Sequence, residues 1–184
     1  MNLLGLRARA RRITALGRAR AWALLYPGVQ AGRRSRVGRG CRLILDSDAR
    51  LILGDRCTID DQTTLAAYDS GTIKLGPRSF IGHHCTIAAC ESVKIGAGTY
   101  LAELVSVRDH DHAVGAPPGS GAVAITPVSI GDDVWVAAKA TVLRGSRIGD
   151  GSVIGANAVV GGEIPPRSVA VGIPASVVRT IEAR

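Results

Sequence analysis

Aromatic side chains are scarce in this sequence: one Phe, two Trp and three Tyr among 184 residues, or 3%. A core must then be filled by Ile, Val, Leu and Ala, which favours repeated small units over a fold centred on one aromatic cluster. The same scarcity removes the stacking platforms that nucleic-acid binding uses, and no recognisable binding motif is present, so no nucleic-acid partner is expected. Acidic residues are missing from the first 45 positions, whereas Arg7, Arg9, Arg11, Arg12, Arg18, Arg20, Arg33, Arg34, Arg36, Arg39 and Arg42 all lie there. The formal net charge of +8 is therefore mainly N-terminal and suits anionic small molecules or a membrane surface. No apolar run approaches the ~18 residues needed to span a bilayer. Arginines interrupt every apolar run near the start, which argues against a cleavable signal peptide. Cys41, Cys57, Cys85 and Cys90 show no CxxC spacing and read as free thiols. The expected location is cytoplasmic, with peripheral attachment at the inner membrane face as the second possibility.

What is present is a six-residue clock. From Ile130 the chain runs IGDDVW VAAKAT VLRGSR IGDGSV IGANAV VGGEIP, with an aliphatic residue at Ile130, Val136, Val142, Ile148, Ile154 and Val160. The fifth places are Val134, Ala140, Ser146, Ser152, Ala158 and Ile164, mostly small. A helix needs apolar recurrence near 3.6 and a plain strand near 2, so a period of six means short strands with a turn after each. Three such strands make one triangular coil, with the aliphatic residue inside and Gly supplying turn conformations that a Cβ would penalise. Stacked coils bury a continuous core. The clock also runs through Leu53, Ile59, Leu65, then Leu75, Ile81, Ile87, then Ile95, Leu101, Val107. Cys57 and Cys85 fall at the small fifth place and read as core packing.

Coils start at 53, 75, 95, 130 and 148. The step of 35 residues from Ile95 to Ile130 is about twice the 18 that follow, so this coil carries an insertion between Val107 and Ile130. It includes GAPPGSG, which no strand tolerates, and RDHDH forms its base. Histidine has an unperturbed pKa of ~6.5 and can take a proton from a hydroxyl near neutral pH, while Asp109 or Asp111 can orient a ring or steady an imidazolium.

The pattern over about residues 37 to 180 resembles the hexapeptide-repeat acyltransferases. PVSIGDDVWVAAKATVLRGSRIGDGSVIGANAVVGGEIPP and VGIPASVVR resemble the C-terminal coils and closing loop of the maltose, galactoside and polysaccharide O-acetyltransferase branch. The resemblance implies an all-β left-handed parallel β-helix, against the usual right-handed crossover. It also implies acetyl-CoA as donor, direct transfer to a sugar or glycan hydroxyl in a ternary complex, and a homotrimer with sites at subunit interfaces. In that branch the base is a histidine at the sixth place of its hexad, which here is His112, with His110 as runner-up. Trp135 matches the tryptophan that borders the active site. Ala137, Ala138, Gly155 and Ala156 match positions whose backbone contacts the pantetheine arm.

Two usual phosphate contacts are missing: Gly161 and Gly162 stand where relatives place Thr-Lys, and Ser176 replaces a basic residue. Arg179 is retained, and Lys139, Arg144 or Arg167 are candidates to compensate. His83 and His84, facing outward in the Ile81 hexad, are candidate acceptor contacts. Alternatives are N-acetylation of an amino sugar, a non-catalytic β-helix scaffold, and a zinc enzyme of the γ-type carbonic anhydrase kind. Zinc catalysis needs three ligands, and the two histidines five residues apart that mark that branch are absent, so no metal is expected.

The expected organisation is a basic amphipathic helix over 1–28, the β-helix over 29–176 with an extruded loop at 108–127, and a tail over 177–184. In the helix, Leu3, Leu6, Ala10, Ile13 and Leu16 share roughly one face. It is expected to cap the open end of the solenoid. Contact with anionic lipid is the second reading, and a transit peptide, Arg-rich and acid-free, the third.

Overall fold

The computed structural model describes residues 3–182 except 116, 118 and 119, with side chains described from Ala10 onward. The hexads form a three-faced parallel β-solenoid whose strands stack into a seven-stranded, an eight-stranded and a six-stranded sheet. The register follows the clock. Leu53, Leu75, Ile95, Ile130 and Ile148 are successive partners in the first sheet. Ile59, Ile81, Leu101, Val136 and Ile154 are partners in the second. Leu65, Ile87, Val107, Val142 and Val160 are partners in the third. All fifteen are at most 3% exposed, so each Leu or Ile contributes roughly 1.5–3 kcal/mol by leaving water.

The solenoid also extends beyond the coils read from the clock. Ala31, Val37 and Leu43 pair with Leu53, Ile59 and Leu65 as a first coil, hidden because alanine occupies one aliphatic position and Arg36 and Arg42 start two of its strands. At the other end Ile164 does not take the small fifth place. It partners Ile148, because Gly161 and Gly162, the latter at φ 133°, shorten the corner by two residues.

The glycines after the aliphatic residues act differently from the expectation. Gly131, Gly149 and Gly155 do not have positive φ; the left-handed corner positions belong instead to Asp133, Gly151 and Asn157. The first group is needed for closeness: a Cβ on Gly149 would lie 2.4 Å from the Pro166 nitrogen. The fifth places are packed as expected. Cys57 and Cys85 are fully buried, and burial pushes both thiols up, Cys85 to about 11.

A helix over Leu3–Leu25 covers the open end of the first coil. Ala19 is buried, Trp22, Ala23 and Tyr26 pack against the core, and Arg18 Nε donates to the Val37 carbonyl at 2.8 Å. The docked face is therefore small and aromatic, not the stripe read from the sequence. Ala10 and Ile13 are exposed, Leu16 is half-buried, and the side chains of Leu3 and Leu6 lie outside the described residues. At the far end Ser176–Thr180, which takes in the start of the tail expected over 177–184, forms a strand antiparallel to Ser168–Val171 at the edge of the eight-stranded sheet.

Candidate active site

The three edges of the prism are not equivalent. The first joins the seven- to the eight-stranded sheet, the second joins the eight- to the six-stranded sheet, and the third returns to the start of the next coil. The insertion springs from the third edge. Up to Arg108 the chain pairs with the coil beneath, Arg108 opposite Ala88. His110–His112 then pairs antiparallel with Val123–Ile125, setting His110 opposite Ile125, Asp111 opposite Ala124 and His112 opposite Val123. The amide of Thr126 donates to the Asp109 carbonyl at 2.8 Å and closes the root. The extruded loop is thus a two-stranded arm.

Asp109 is the anchor. It is completely buried, and its carboxylate accepts the amide N–H groups of Cys90, Glu91 and Ser92 at 2.8, 2.8 and 2.7 Å. A carboxylate so placed survives burial because its oxygens are hydrogen-bonded. Its Oδ1 also meets His110 Nδ1 at 2.9 Å. With that nitrogen as donor, Nε2 keeps its lone pair, and it has no hydrogen-bond partner among the described residues. The His110 side chain is only 20% exposed, and its ring stands edge-on to Tyr68, centroids 6.0 Å apart and planes at 87°.

His112, two residues out on the arm, is exposed, and its side chain has no hydrogen-bond partner among the described residues. The count that assigned it the sixth place of a hexad has no counterpart here, because coil pairing ends at Asp109. Asp111 pairs with Arg144 Nε at 3.2 Å, and Arg144 also donates to Thr126 Oγ1 at 3.3 Å. Arg144 thus lies against the root of the arm.

The remaining sequence-marked residues lie on other edges of the same chain. Trp135 is half-exposed on the eight-stranded sheet and is followed at the second edge by Ala137 and Ala138. Gly155 and Ala156 repeat that edge one coil on, with the amide of Asn157 donating to the Ala138 carbonyl at 3.0 Å. Lys139 is on this edge at φ 60°. His83 and His84 occupy it two coils below, where His83 Nε2 is 3.1 Å from Asp60 Oδ2. Gly161 and Gly162 lie on the third edge, two coils beyond His110, and Arg179 lies opposite Val169 in the closing strand. One chain thus joins Asp109, His110, Asp111 and Arg144, and sets Trp135, the small-residue edge and the His83–His84 pair apart from them.

Sequence reasoning missed several neighbours. Tyr68 and Cys90 enter because the second and third coils are longer than 18 residues at this edge, a signal present in the steps of 22 and 20. Phe80 and Tyr100 stack at 4.4 Å and 8°, and Tyr100 is the strand partner of Trp135, forming an aromatic row on the eight-stranded sheet.

Two groups of potential metal-ligand atoms gather within 4.8 Å among the described residues: Cys90, Asp109, His110, and Asp60, Asp61, His83. In the first, the Asp109 oxygens and His110 Nδ1 are already committed to one another and to amides. In the second, Asp60 meets His83 and the Asp61 amide, while Asp61 accepts from Arg39. Neither offers three free lone pairs of the kind a zinc site requires.

A family model described as bacterial transferase hexapeptide (six repeats) matches residues 127–162. WbbJ of Escherichia coli K12, an inferred lipopolysaccharide biosynthesis O-acetyl transferase, is 33% identical over 156 residues, covering 77% of this chain and 80% of that protein. A probable acetyltransferase of Mycobacterium tuberculosis is 36% identical over 147 residues, 78% of this chain, which spans about half of it, 49%. Galactoside O-acetyltransferase of E. coli K12 is 34% identical over 113 residues, 61% of this chain and 56% of that one. Among solved structures, the Bacillus cereus N-acyltransferase AntD with dTDP and 3-hydroxybutyryl-CoA superposes with a TM-score of 0.75 at 16% identity, covering 87% of each chain. At that identity the likeness is one of fold.

Proposed function

This chain belongs to the hexapeptide-repeat acetyltransferases, and on that premise we propose that it moves an acetyl group from acetyl-CoA to a hydroxyl of a sugar or glycan precursor, with His110 as general base. The observation that carries this reading is the buried Asp109 carboxylate holding His110 by Nδ1 at the root of the arm, with Nε2 unpartnered. Nε2 takes the proton of the acceptor hydroxyl as its oxygen attacks the thioester carbonyl. The tetrahedral intermediate collapses with loss of the coenzyme thiolate, which accepts that proton from the imidazolium. Asp109 keeps the ring in one tautomer and steadies its positive charge. Transfer is direct, in a ternary complex.

Trp135, Ala137, Ala138, Gly155 and Ala156 lie on an edge that His110 does not share, so a complete site needs two copies. That separation supports a homotrimer in which one subunit supplies the histidine and its neighbour the coenzyme groove, where small side chains leave the corner backbone open. Arg179 and Lys139 remain candidates for the coenzyme phosphates, and His83 with His84 for the acceptor. WbbJ and galactoside O-acetyltransferase, both O-acetylating by name, support hydroxyl acceptors.

Release of coenzyme thiol from acetyl-CoA, with sugars bearing free hydroxyls or amines as acceptors, tests the proposal. His110→Ala is expected to lower kcat by about 10²–10⁴-fold while His112→Ala stays within about tenfold of wild type. The reverse pattern returns the role to His112. A purified oligomer that binds no acyl-CoA favours a scaffold.

A further inference from the structure

The N-terminal helix presents a second, undocked face. At 100° per residue, Ala10, Ile13, Gly17 and Leu24 fall within an arc of about 60°, opposite Ala15, Ala19, Trp22 and Tyr26, which turn toward the solenoid. All four are exposed, Ile13 at 61% and Leu24 at 86%, and the adjoining Leu25 is at 74%. Cations border one side of this face. Arg20 flanks the arc and shares a shallow groove with Leu16, Ala23, Leu24, Arg33 and Arg34. Arg33 is partly offset by Asp55 at 3.4 Å, and Arg18 is committed to the Val37 carbonyl. Arg20 and Arg34 are exposed and have no ion-pair partner among the described residues, whereas Arg11 and Arg12 lie about 130° from the centre of the arc, over a groove shared with Arg36 and Arg39. No acidic residue precedes Asp46.

We infer that this end of the solenoid docks on an anionic phospholipid surface, with Ile13 and Leu24 entering the boundary between headgroups and acyl chains and the arginines meeting lipid phosphates. Exposed aliphatics bordered by Arg20, Arg33 and Arg34 match that boundary, and no described helix is long and apolar enough to cross the membrane instead. A soluble polyanion would match the arginines but not the bare aliphatics. In the three-fold assembly proposed above all three helices emerge at the same end, so three weak contacts act together. Docking end-on holds His110 three coils above the first, at ~4.8 Å per coil with ~10 Å for the helix, or about 25 Å from the lipid. On the proposed acetyl-transfer reading, that height selects a hydroxyl on a saccharide carried by a lipid rather than one in the headgroup layer.

The test is co-sedimentation of the full chain with vesicles of phosphatidylcholine alone or mixed equally with phosphatidylglycerol, at low and high salt. Binding at least tenfold stronger to the anionic vesicles, lost at high salt, is expected. Each arginine near the surface contributes about fivefold, so Arg20→Glu with Arg34→Glu lowers partitioning by more than tenfold. Ile13→Gln with Leu24→Gln does the same, and neither pair changes the thermal transition or acetyl transfer to a soluble acceptor. Equal partitioning into both vesicles, or charge reversal without effect, overturns the inference. So does a wild-type assembly whose mass falls in Ile13→Gln with Leu24→Gln, which makes the face a contact between copies. Vesicle binding is read without any acyl transfer, so its failure leaves the enzymatic proposal standing.

Discussion

The two halves of the solenoid obey one clock with different tolerance. The coils beginning at Ile130 and Ile148 repeat every 18 residues or fewer, with strands of two or three residues. The coils beginning at Leu53 and Leu75 take 22 and 20, with four-residue strands such as Thr64–Ala67 and Thr86–Ala89. Their surplus collects at the third edge, in the corners Tyr68–Gly71 and Cys90–Glu91, as that of the first coil does at Asp46–Ala49. Asp109 uses one of these corners: three successive amides turn toward it and become its hydrogen-bond donors. The third-edge corner of the next coil instead holds Ser146, whose single hydroxyl proton is shared between the Leu143 and Val160 carbonyls and simply closes the corner. A regular coil satisfies its own backbone, whereas an enlarged corner offers amides that can hold a buried carboxylate and the imidazole bonded to it.

That contrast is broken most severely by Asp109→Ala. Three part-buried N–H groups lose their charged acceptor together, so urea denaturation is expected to show a loss of about 2–3 kcal/mol, and activity falls as in His110→Ala. Ser146→Ala, removing a donor from the plain corner, is expected to lose about 1 kcal/mol or less. Close stacking is common to both halves, so Gly76→Ala and Gly149→Ala should each cost ~1–3 kcal/mol. Their Cβ atoms would lie 2.5 Å from the Ala97 nitrogen and 2.4 Å from the Pro166 nitrogen. Gly161→Ala meets only the Leu143 side chain at 3.6 Å and is expected to be nearly neutral.

Smaller still is Arg144→Ala. Its ion pair with Asp111 is about 40% exposed on both sides, so thermal unfolding should register less than ~1 kcal/mol, while KM for the acceptor rises as the arm loosens. Thiol alkylation of the native protein near neutral pH sharpens the comparison without altering the chain. Cys57 and Cys85 stay unmodified, since burial both raises their thiols and blocks access, whereas the partly exposed Cys41 and Cys90 react slowly. Burial raises the Cys41 thiol, and burial first, then the Asp109, Asp69 and Asp46 carboxylates, push the Cys90 thiol up.

Periodicity made the repeated part of the molecule legible because each aliphatic position is decided locally, by an inward strand residue stacked on its counterparts. Ala31 escaped because a small residue at an inward place gives no hydrophobic signal. Ile164 escaped because two glycines changed the length of a corner, which a fixed count of six cannot register. The helix face was misread for a related reason: the solenoid end accepts Ala15, Ala19, Trp22 and Ala23 closely, and the larger aliphatics Ile13 and Leu24 are left outside. In the candidate site the sequence marked the histidines but ranked them by phase. Phase carries meaning only while the chain stays in the coil, and the chain leaves at Asp109. What separates His110 from His112 is a carboxylate fixed by amides seventeen to nineteen residues away, a relation no local count contains.

The way the arm is rooted also makes it a natural graft point. Thr126 is tied to Asp109, Arg144 to Asp111, and the Ala113 amide to the Ala122 carbonyl at 2.9 Å, so the ladder is closed before the tip begins. The stretch between Ala113 and Ala122 can therefore be lengthened, shortened or exchanged without moving His110. On the proposed reading, acceptor preference can then diversify while the Asp109–His110 pair stays in place.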